Sequence, residues 1–317
     1  MRAIFLTALN NIHVPEDLGR GDRLSDSVFL TNRFRASLKH YLDESVVRTI
    51  GILEAKAILN AKAIVYSVED QSEDADPQVL LTQRMRELSA FENILWLSQD
   101  CCVDHELGFL ITYPRGGTKV DSNYLGRRYS LANGKIGTKT FPRAALKALR
   151  RFHRERIQMP DFAPEAPTLL TSSLDRVSRS MYILQGARIA NDLGFKISSY
   201  CAALEALFAT SQTEIAHQLA ERVGWFLGKD GAERLSIYST MKRAYSVRSK
   251  VAHGDGVKSS RNDSLASLAG DCDANLRRCL QRLLDESDIY SVFTGPTDKL
   301  DEYLMGLVLA SRGQAQA

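Results

Sequence analysis

A cluster of prolines divides this chain of 317 residues into two parts. Three of the eight prolines, Pro160, Pro164 and Pro167, fall in residues 159–168. Proline fixes its own φ and keeps the preceding residue extended, so a regular helix is not expected to cross this segment. We therefore predict a domain over residues 1–158, a linker over residues 159–168 and a second domain over residues 169–317.

The N-terminal domain is predicted to mix strands and helices, an α+β arrangement. Its strand candidates, short stretches rich in apolar residues, are residues 4–9, 28–31, 63–68 and 107–113. Residues 33–58 are typical of a helix, with a break expected near Asp43. Asn133 and Gly134 tolerate positive φ and predict a hairpin that joins residues 124–131 to residues 135–141.

A helix predicted from Pro142 to about residue 157 carries a stripe of basic residues. Its members are Arg143, Lys147, Arg150 and Arg154. Their spacing puts all four on one helical face. Such a stripe could follow an RNA backbone, which makes these residues candidates for RNA binding. The alternative is an ordinary solvated helix face, the commoner meaning of a charge run.

The C-terminal domain is predicted to be entirely helical. Apolar residues recur at helical spacing, as in Ile197, Cys201, Leu204 and Phe208. Two helix starts are predicted from paired capping residues, with an acceptor followed three positions later by glutamate. These pairs are Ser211 with Glu214, and Asp230 with Glu233.

The helix that begins near Asp230 is predicted to turn one face inward. That face comprises Leu235, Tyr238, Met241, Tyr245 and Arg248. Burial of an unpaired guanidinium is costly, so Arg248 needs an anion or an acidic partner such as Glu205 or Glu221.

Arg248 and His253 form an Arg-x4-His motif that is followed directly by Gly254. Arginine can neutralise a phosphate, and histidine can transfer a proton near neutral pH. The spacing alone is weak evidence, because Arg35 and His40 repeat it.

The five-residue spacing also raises a geometric problem. Positions five apart differ by about 140° around a regular helix. Either the helix ends before His253, as Gly254 suggests, or a site combines residues from two copies.

Three segments around this motif carry a family resemblance. The chain reads Leu-Glu-Ala-Leu-Phe at 204–208, Glu-Arg at 221–222, and Arg-Ser-Lys-Val-Ala-His-Gly at 248–254. In this order the segments resemble the Apea-like HEPN family over about residues 170–290. The resemblance implies a compact helical domain, usually a symmetric dimer. In many members it also implies metal-independent endoribonuclease activity in toxins and anti-phage defence.

The resemblance and the residue chemistry together give each residue an expected role. His253 would be the general base or acid, Arg248 would stabilise the phosphate charge, and Ser249 would orient one of them. Many active family members have Asn, Asp or His at the Ser249 position. Lys250 would hold the RNA backbone, and six Lys or Arg residues between Met241 and Arg261, with one acid, favour this.

Glu205 and Arg222 are expected to form an internal, structural polar pair.

The leading function is an endoribonuclease whose N-terminal domain senses a trigger or restrains the helical domain. The alternatives are a non-catalytic helical dimer that binds RNA or a partner protein and, less favoured, a nucleotide-binding regulatory module.

Composition limits the location and the cofactors. A net charge of +3 is too small to indicate nucleic-acid binding by itself. Five cysteines, without a Cys-x-x-Cys pair or a signal peptide, predict reduced thiols in a soluble, cytoplasmic protein. The six histidines are scattered, so no metal site and no cofactor are expected.

Overall fold

The computed structural model describes residues 1–34, 38–124, 127–155, 174–255 and 262–309. The predicted linker, residues 159–168, lies outside these ranges. Contacts divide the chain into two compact units. The first comprises Met1–Tyr129 and Ile136–Gln158, and the second comprises Ser130–Lys135 and Met159–Ala317.

The first unit contains a six-stranded antiparallel sheet of order β3-β4-β5-β1-β6-β7 and a short parallel pair, β2-β8. The strands are β1 (Arg2–Asn10), β2 (Ile12–His13), β3 (Asp22–Arg23), β4 (Val28–Thr31), β5 (Ile64–Asp70), β6 (Asp104–Tyr113), β7 (Lys119–Tyr124) and β8 (Lys139–Thr140). Strand β1 is central and pairs Ile4 with Val68 on one side and Ile111 on the other. The four predicted strands are therefore confirmed, with ends that differ from the prediction by up to three residues.

Helices of the first unit are α1 (Glu44–Ile50), α2 (Ile52–Asn60), α3 (Pro77–Ser98) and α4 (Arg143–Glu155). The predicted break near Asp43 is confirmed, because the Asp43 side chain accepts a hydrogen bond from the Val46 amide and caps α1. A second break follows at Gly51, so the predicted single helix is divided twice.

The hairpin predicted around Asn133 and Gly134 is wrong, although the tight turn is present. The Gly134 amide donates to the Leu131 carbonyl at 2.8 Å. The flanking residues do not pair as strands, since β7 ends at Tyr124 and β8 pairs with β2. The Ser130 amide instead donates to the Arg188 carbonyl at 2.8 Å, so residues 130–135 pack with the second unit. The local turn forms, but tertiary contacts decide the partners of the residues beside it.

The described part of the second unit is helical apart from its connecting segments. Its helices are α5 (Arg176–Ile189), α6 (Leu193–Phe208), α7 (Ile215–Leu227), α8 (Gly231–His253), α9 (Asn262–Asp285), α10 (Ser287–Thr294) and α11 (Thr297–Leu309). The predicted apolar stripe of α6 is fully buried. One of its members, Phe208, packs edge-on against Phe226 and Phe293, with ring centroids 5.3 and 5.4 Å away.

The two predicted capping pairs have different outcomes. Asp230 caps α8 by accepting a hydrogen bond from the Glu233 amide at 2.8 Å, as predicted. Ser211 does not cap α7, because Glu214 is itself the residue before the helix and has a φ of 50°. The Ser211 hydroxyl instead accepts a hydrogen bond from the Gln218 side chain at 2.6 Å, which organises the preceding loop.

All five cysteines are free thiols and are buried. They are Cys101 and Cys102 in the first unit, and Cys201, Cys272 and Cys279 in the second. Burial raises the pKa of Cys201 to about 12 and also raises the pKa of Cys272 and of Cys279. Across the described residues, none of the helices has the length and apolar character needed to span a membrane.

Candidate functional site

The candidate site lies at the C-terminal end of α8, which is continuous from Gly231 to His253. Of the two alternatives for the five-residue spacing, a helix that ends before His253 is excluded, because α8 includes His253. The left-handed residue is Gly254, with a φ of 77°, and the Asp255 amide closes the end by donating to the Lys250 carbonyl at 2.9 Å. Because glycine adopts this conformation without steric cost, the helix extends through His253 before it stops.

The buried face of α8 differs from the one predicted. Its buried residues are Ile237, Met241 and Ala244, whereas the Leu235 side chain is 66% exposed. Leu235 precedes Ile237 by two positions, about 200° around the helix, and so belongs to the opposite side. Tyr238 and Tyr245 are half-buried at the edges of the packed face.

Arg248 faces α6, where it meets Glu205. Its Nη2 atom lies 3.6 Å from Glu205 Oε2, and its guanidinium lies 5.2 Å from the centre of the Tyr245 ring. Charge-assisted hydrogen bonds are shorter, at roughly 2.7–2.9 Å. The Arg248 side chain is 36% exposed. Among the described residues this guanidinium is thus held loosely, with donors free to bind an anion.

Glu205 is the less solvated partner of this ion pair. Its side chain is 18% exposed, and its Oε1 atom is buried without a hydrogen-bond partner in the described part of the chain. Burial raises the pKa of Glu205, and the nearby Arg248 charge opposes that rise. Arg248 therefore offsets the cost of placing this carboxylate beside the buried Cys201.

The predicted internal pair between Glu205 and Arg222 is wrong. Arg222 donates to Asp301 of α11 at 2.8 Å, to the Phe208 carbonyl at 2.6 Å and to the Thr210 hydroxyl at 2.8 Å. Arg222 lies on the face of α7 that meets α11, so it ties together the ends of helices rather than neutralising Glu205.

His253 is exposed, and Ser249 is half-buried one helical turn before it. Because these two residues are four positions apart, they lie on the same side of α8. Arg248 is turned away from His253 by about 140°. One chain therefore does not direct the guanidinium and the imidazole toward the same point.

Lys250 lines a groove between α8 and α9 with a volume of about 270 Å³. Arg243 lies in the same groove, together with Ser246 and Ser264. Two cations and two hydroxyl groups give the groove a chemistry suited to phosphate. Lys258 and Arg261, two of the six basic residues near the motif, lie outside the described residues. Arg35, the arginine of the repeated spacing with His40, also lies outside them.

The basic stripe of α4 is partly neutralised. Arg143 donates two hydrogen bonds to Asp22, at 2.8 and 2.5 Å, and this carboxylate raises the pKa of Arg143. Lys147 is exposed. The side chains of Arg150 and Arg154 lie outside the part that the structure describes. Arg143 would have to give up Asp22 to take a phosphate.

A second feature, a pocket between α7 and α8, was missed by the sequence reasoning. Its volume is about 590 Å³, and we call it the aromatic pocket. It is lined by Glu221, Gly224, Trp225, Gly231, Arg234, Leu235 and Tyr238. Leu235 and Tyr238, which the sequence pattern predicts on the inward face of α8, line this pocket instead. The helical spacing of Glu221, Gly224 and Trp225 on α7 is the one sequence signal that could have indicated an open face here.

Comparison of the chain with protein-family models, with curated proteins and with solved structures finds no match.

Proposed function

We propose that this chain is a metal-independent endoribonuclease that cleaves RNA through attack by a ribose 2′-hydroxyl at the Arg248 and His253 motif. The observation that carries the proposal is the partial exposure and loose ion pairing of the Arg248 guanidinium. Its guanidinium is 36% exposed and 3.6 Å from its acidic neighbour, at the end of a helix that terminates in an exposed His253. The resemblance to the Apea-like HEPN family supports the same reading, and suggests a toxin or an anti-phage effector.

The chemistry follows from the two side chains. One His253 takes the proton of the 2′-hydroxyl as the 2′-oxygen bonds to phosphorus. The bond from phosphorus to the 5′-oxygen breaks, and that oxygen receives a proton from a second, protonated histidine. Arg248 stabilises the charge that builds on the phosphate oxygens. The products are a 2′,3′-cyclic phosphate and a 5′-hydroxyl, so the substrate is RNA and not DNA.

A second copy of the chain supplies what one copy lacks. Arg248 and His253 point in directions about 140° apart on one helix. In a two-fold dimer with both motifs in one cleft, each copy contributes a histidine and an arginine to the same phosphate. Lys250 and Arg243, which line one groove, would hold the RNA backbone on either side of the cleft.

The test is cleavage of labelled RNA by the purified chain in EDTA, with analysis of the product ends. We expect His253→Ala and Arg248→Ala each to lower the rate by at least about 100-fold while RNA binding is kept. His40→Ala, an exposed histidine of the first unit, is the matched control and should cleave as the wild type does. Wild-type cleavage by either motif variant, or strict magnesium dependence with 5′-phosphate products, would overturn the assignment.

The alternative is a non-catalytic helical dimer that binds RNA or a partner protein. The observation that favours it is the ion pair between Arg248 and Glu205, which gives Arg248 a structural role. In that case RNA stays intact under all conditions, and Arg248→Ala lowers stability and binding together.

A further inference from the structure

At the aromatic pocket, α7 and α8 approach each other closely at a glycine. A Cβ atom at Gly224 of α7 would lie 3.1 Å from the Arg234 carbonyl oxygen of α8, so a larger residue would push the helices apart. The two backbones are thereby fixed along the floor of the pocket.

The walls of the pocket are planar groups held in place. The Arg234 guanidinium lies over the Trp225 ring, 3.9 Å from its centre, and its Nε donates to the Gly228 carbonyl at 3.1 Å. The hydroxyl of Tyr238, another lining residue, is 3.1 Å from Nδ1 of His217. The pocket volume of about 590 Å³ lies within the range of ligand sites, roughly 300–1,000 Å³.

Glu221 is the acidic group of this pocket, and it is half-buried. Within the described residues it has no ion-pair or hydrogen-bond partner, although Arg234 lines the same pocket. A carboxylate offers two acceptor oxygens that can bind two adjacent donors at once. The pocket thus combines a cation–π stack with an unused acceptor.

We propose that the aromatic pocket binds one unpaired base of the RNA, with guanine preferred. Unpaired bases stack on aromatic rings and on arginine guanidinium planes, which the pair of Trp225 and Arg234 provides. The Watson–Crick edge of guanine presents adjacent N1–H and N2–H donors to the Glu221 carboxylate. Uracil has one such donor between two acceptors, so it leaves one carboxylate oxygen unmatched.

The position of the pocket links this base to the proposed cleavage site, and to that extent the inference rests on the proposed function. Tyr238 and His253 are 15 positions apart, about 22 Å along α8. Tyr238, Lys242, Ser249 and His253 lie within about 60° of one another around the helix. Lys242 is exposed between the two ends. A single strand seated in the pocket would therefore pass Lys242 and reach His253 a few nucleotides away.

Tryptophan fluorescence can test the pocket without cleavage. The chain has two tryptophans, and Trp96 is 1% exposed in the first unit, so a quench by added ligand reports on Trp225. The probe is a short 2′-O-methyl oligonucleotide with a single guanine or a single uracil, added to the full-length His253→Ala protein. We expect the guanine probe to quench the emission and to bind about tenfold more tightly than the uracil probe.

Three variants separate stacking from base recognition. Trp225→Ala should weaken guanine binding about tenfold or more, measured by anisotropy of a labelled probe, because base stacking is lost. Trp225→Phe keeps a ring and should restore much of the affinity while abolishing the quench. Glu221→Gln should reduce the preference for guanine over uracil to about twofold or less, because one oxygen acceptor becomes a donor. Glu302→Gln, an exposed acid of α11, is the control and should leave the preference unchanged.

Certain results would overturn the pocket assignment. One is equal binding by an abasic oligomer of the same length, which would mean that only phosphates are bound. Another is a Trp225 signal that follows protein concentration and ignores the probes, which would mean that a second copy occupies the pocket. Guanine-dependent quenching in a protein that cleaves no RNA would support the pocket and refute the ribonuclease. Cleavage without any quench or base preference would do the reverse.

Discussion

At the scale of single residues, the contact between Arg248 and Glu205 determines how the motif arginine is held. The contact satisfies two requirements: a partly buried carboxylate needs a cation, and under the proposed function Arg248 must be able to move to a phosphate. A separation of 3.6 Å with no hydrogen bond meets both, because the charge is offset without fixing the guanidinium. The sequence could indicate that Arg248 needed an acidic partner, but not which of Glu205 and Glu221 it would be.

Glu205→Gln should change how stability depends on pH. Burial raises the pKa of Glu205 above its ordinary value of 4.5, so the folded protein binds this proton more tightly than the unfolded chain does. The stability that this proton contributes is present below pH 4.5 and is lost as pH rises through the folded pKa. The variant lacks the titrating group, so that part of the decline should disappear.

The measurement is the free energy of unfolding by urea at a series of pH values from about 4 to 8. Glu44→Gln, which removes a highly exposed carboxylate of α1, is the control and should keep the wild-type slope. A Glu205→Gln protein whose stability follows the wild-type pH profile would show that Glu205 does not titrate differently in the folded state.

At the scale of elements, the end of α8 positions the motif. Gly254 has a φ of 77°, a conformation in which a Cβ atom is strained. Gly254→Ala should cost roughly 1–2 kcal/mol and should also displace His253. Under the proposed function, cleavage by this variant falls while its affinity for RNA changes little.

A matched glycine elsewhere gives the opposite expectation. Gly270 lies inside α9, and an added Cβ there would meet no atom within 4 Å. Gly270→Ala should therefore stabilise the protein by about 0.5–1 kcal/mol. Thermal unfolding monitored by circular dichroism compares the two variants. Equal effects of the two substitutions would contradict the role assigned to the left-handed end of α8.

Local sequence signals predicted elements correctly where the deciding interactions are local. The Asp230 cap and the four apolar strands are examples. The errors arose where a distant partner decided the outcome. Ser130 bonds to Arg188 and prevents the expected hairpin, and Arg222 meets Asp301 instead of Glu205. A single sequence gives no signal for which of several possible long-range partners a side chain will take.

The motif illustrates the same limit. The sequence identified Arg248 and His253 and the angular problem of their spacing. It could not establish that α8 continues through His253, the residue directly before Gly254. The helical spacing on α7 could indicate an open face but not the aromatic pocket, because Trp225 and Arg234 meet only where α7 approaches α8 at Gly224.

At the scale of the whole molecule, the proposed site requires two copies of the chain. We predict a homodimer formed mainly by the helical unit, whose activity depends on both copies of His253. Wild-type protein is mixed with a ninefold excess of the His253→Ala protein until subunits have exchanged between dimers. About one in ten wild-type chains would then have a wild-type partner. Cleavage per wild-type chain should then fall about tenfold.

The mixing experiment has an internal control. His40→Ala protein, added in the same excess, should not lower the activity of the wild-type chains. Analytical ultracentrifugation under the assay conditions measures the dimer directly. A chain that sediments only as a monomer at micromolar concentration and still cleaves RNA would refute the composite site.

Alkylation of the five buried thiols reports separately on the opening of each unit. A thiol reacts with an alkylating reagent as the thiolate, and burial both shields these cysteines and raises the pKa of the three in the helical unit. Their labelling therefore waits for the surrounding structure to open. Cys101 and Cys102 would be modified when the sheet unit opens, and Cys201, Cys272 and Cys279 when the helical unit does. Mass spectrometry after a brief pulse of reagent could thus time the opening of each half within one intact chain, and show which half an added RNA protects.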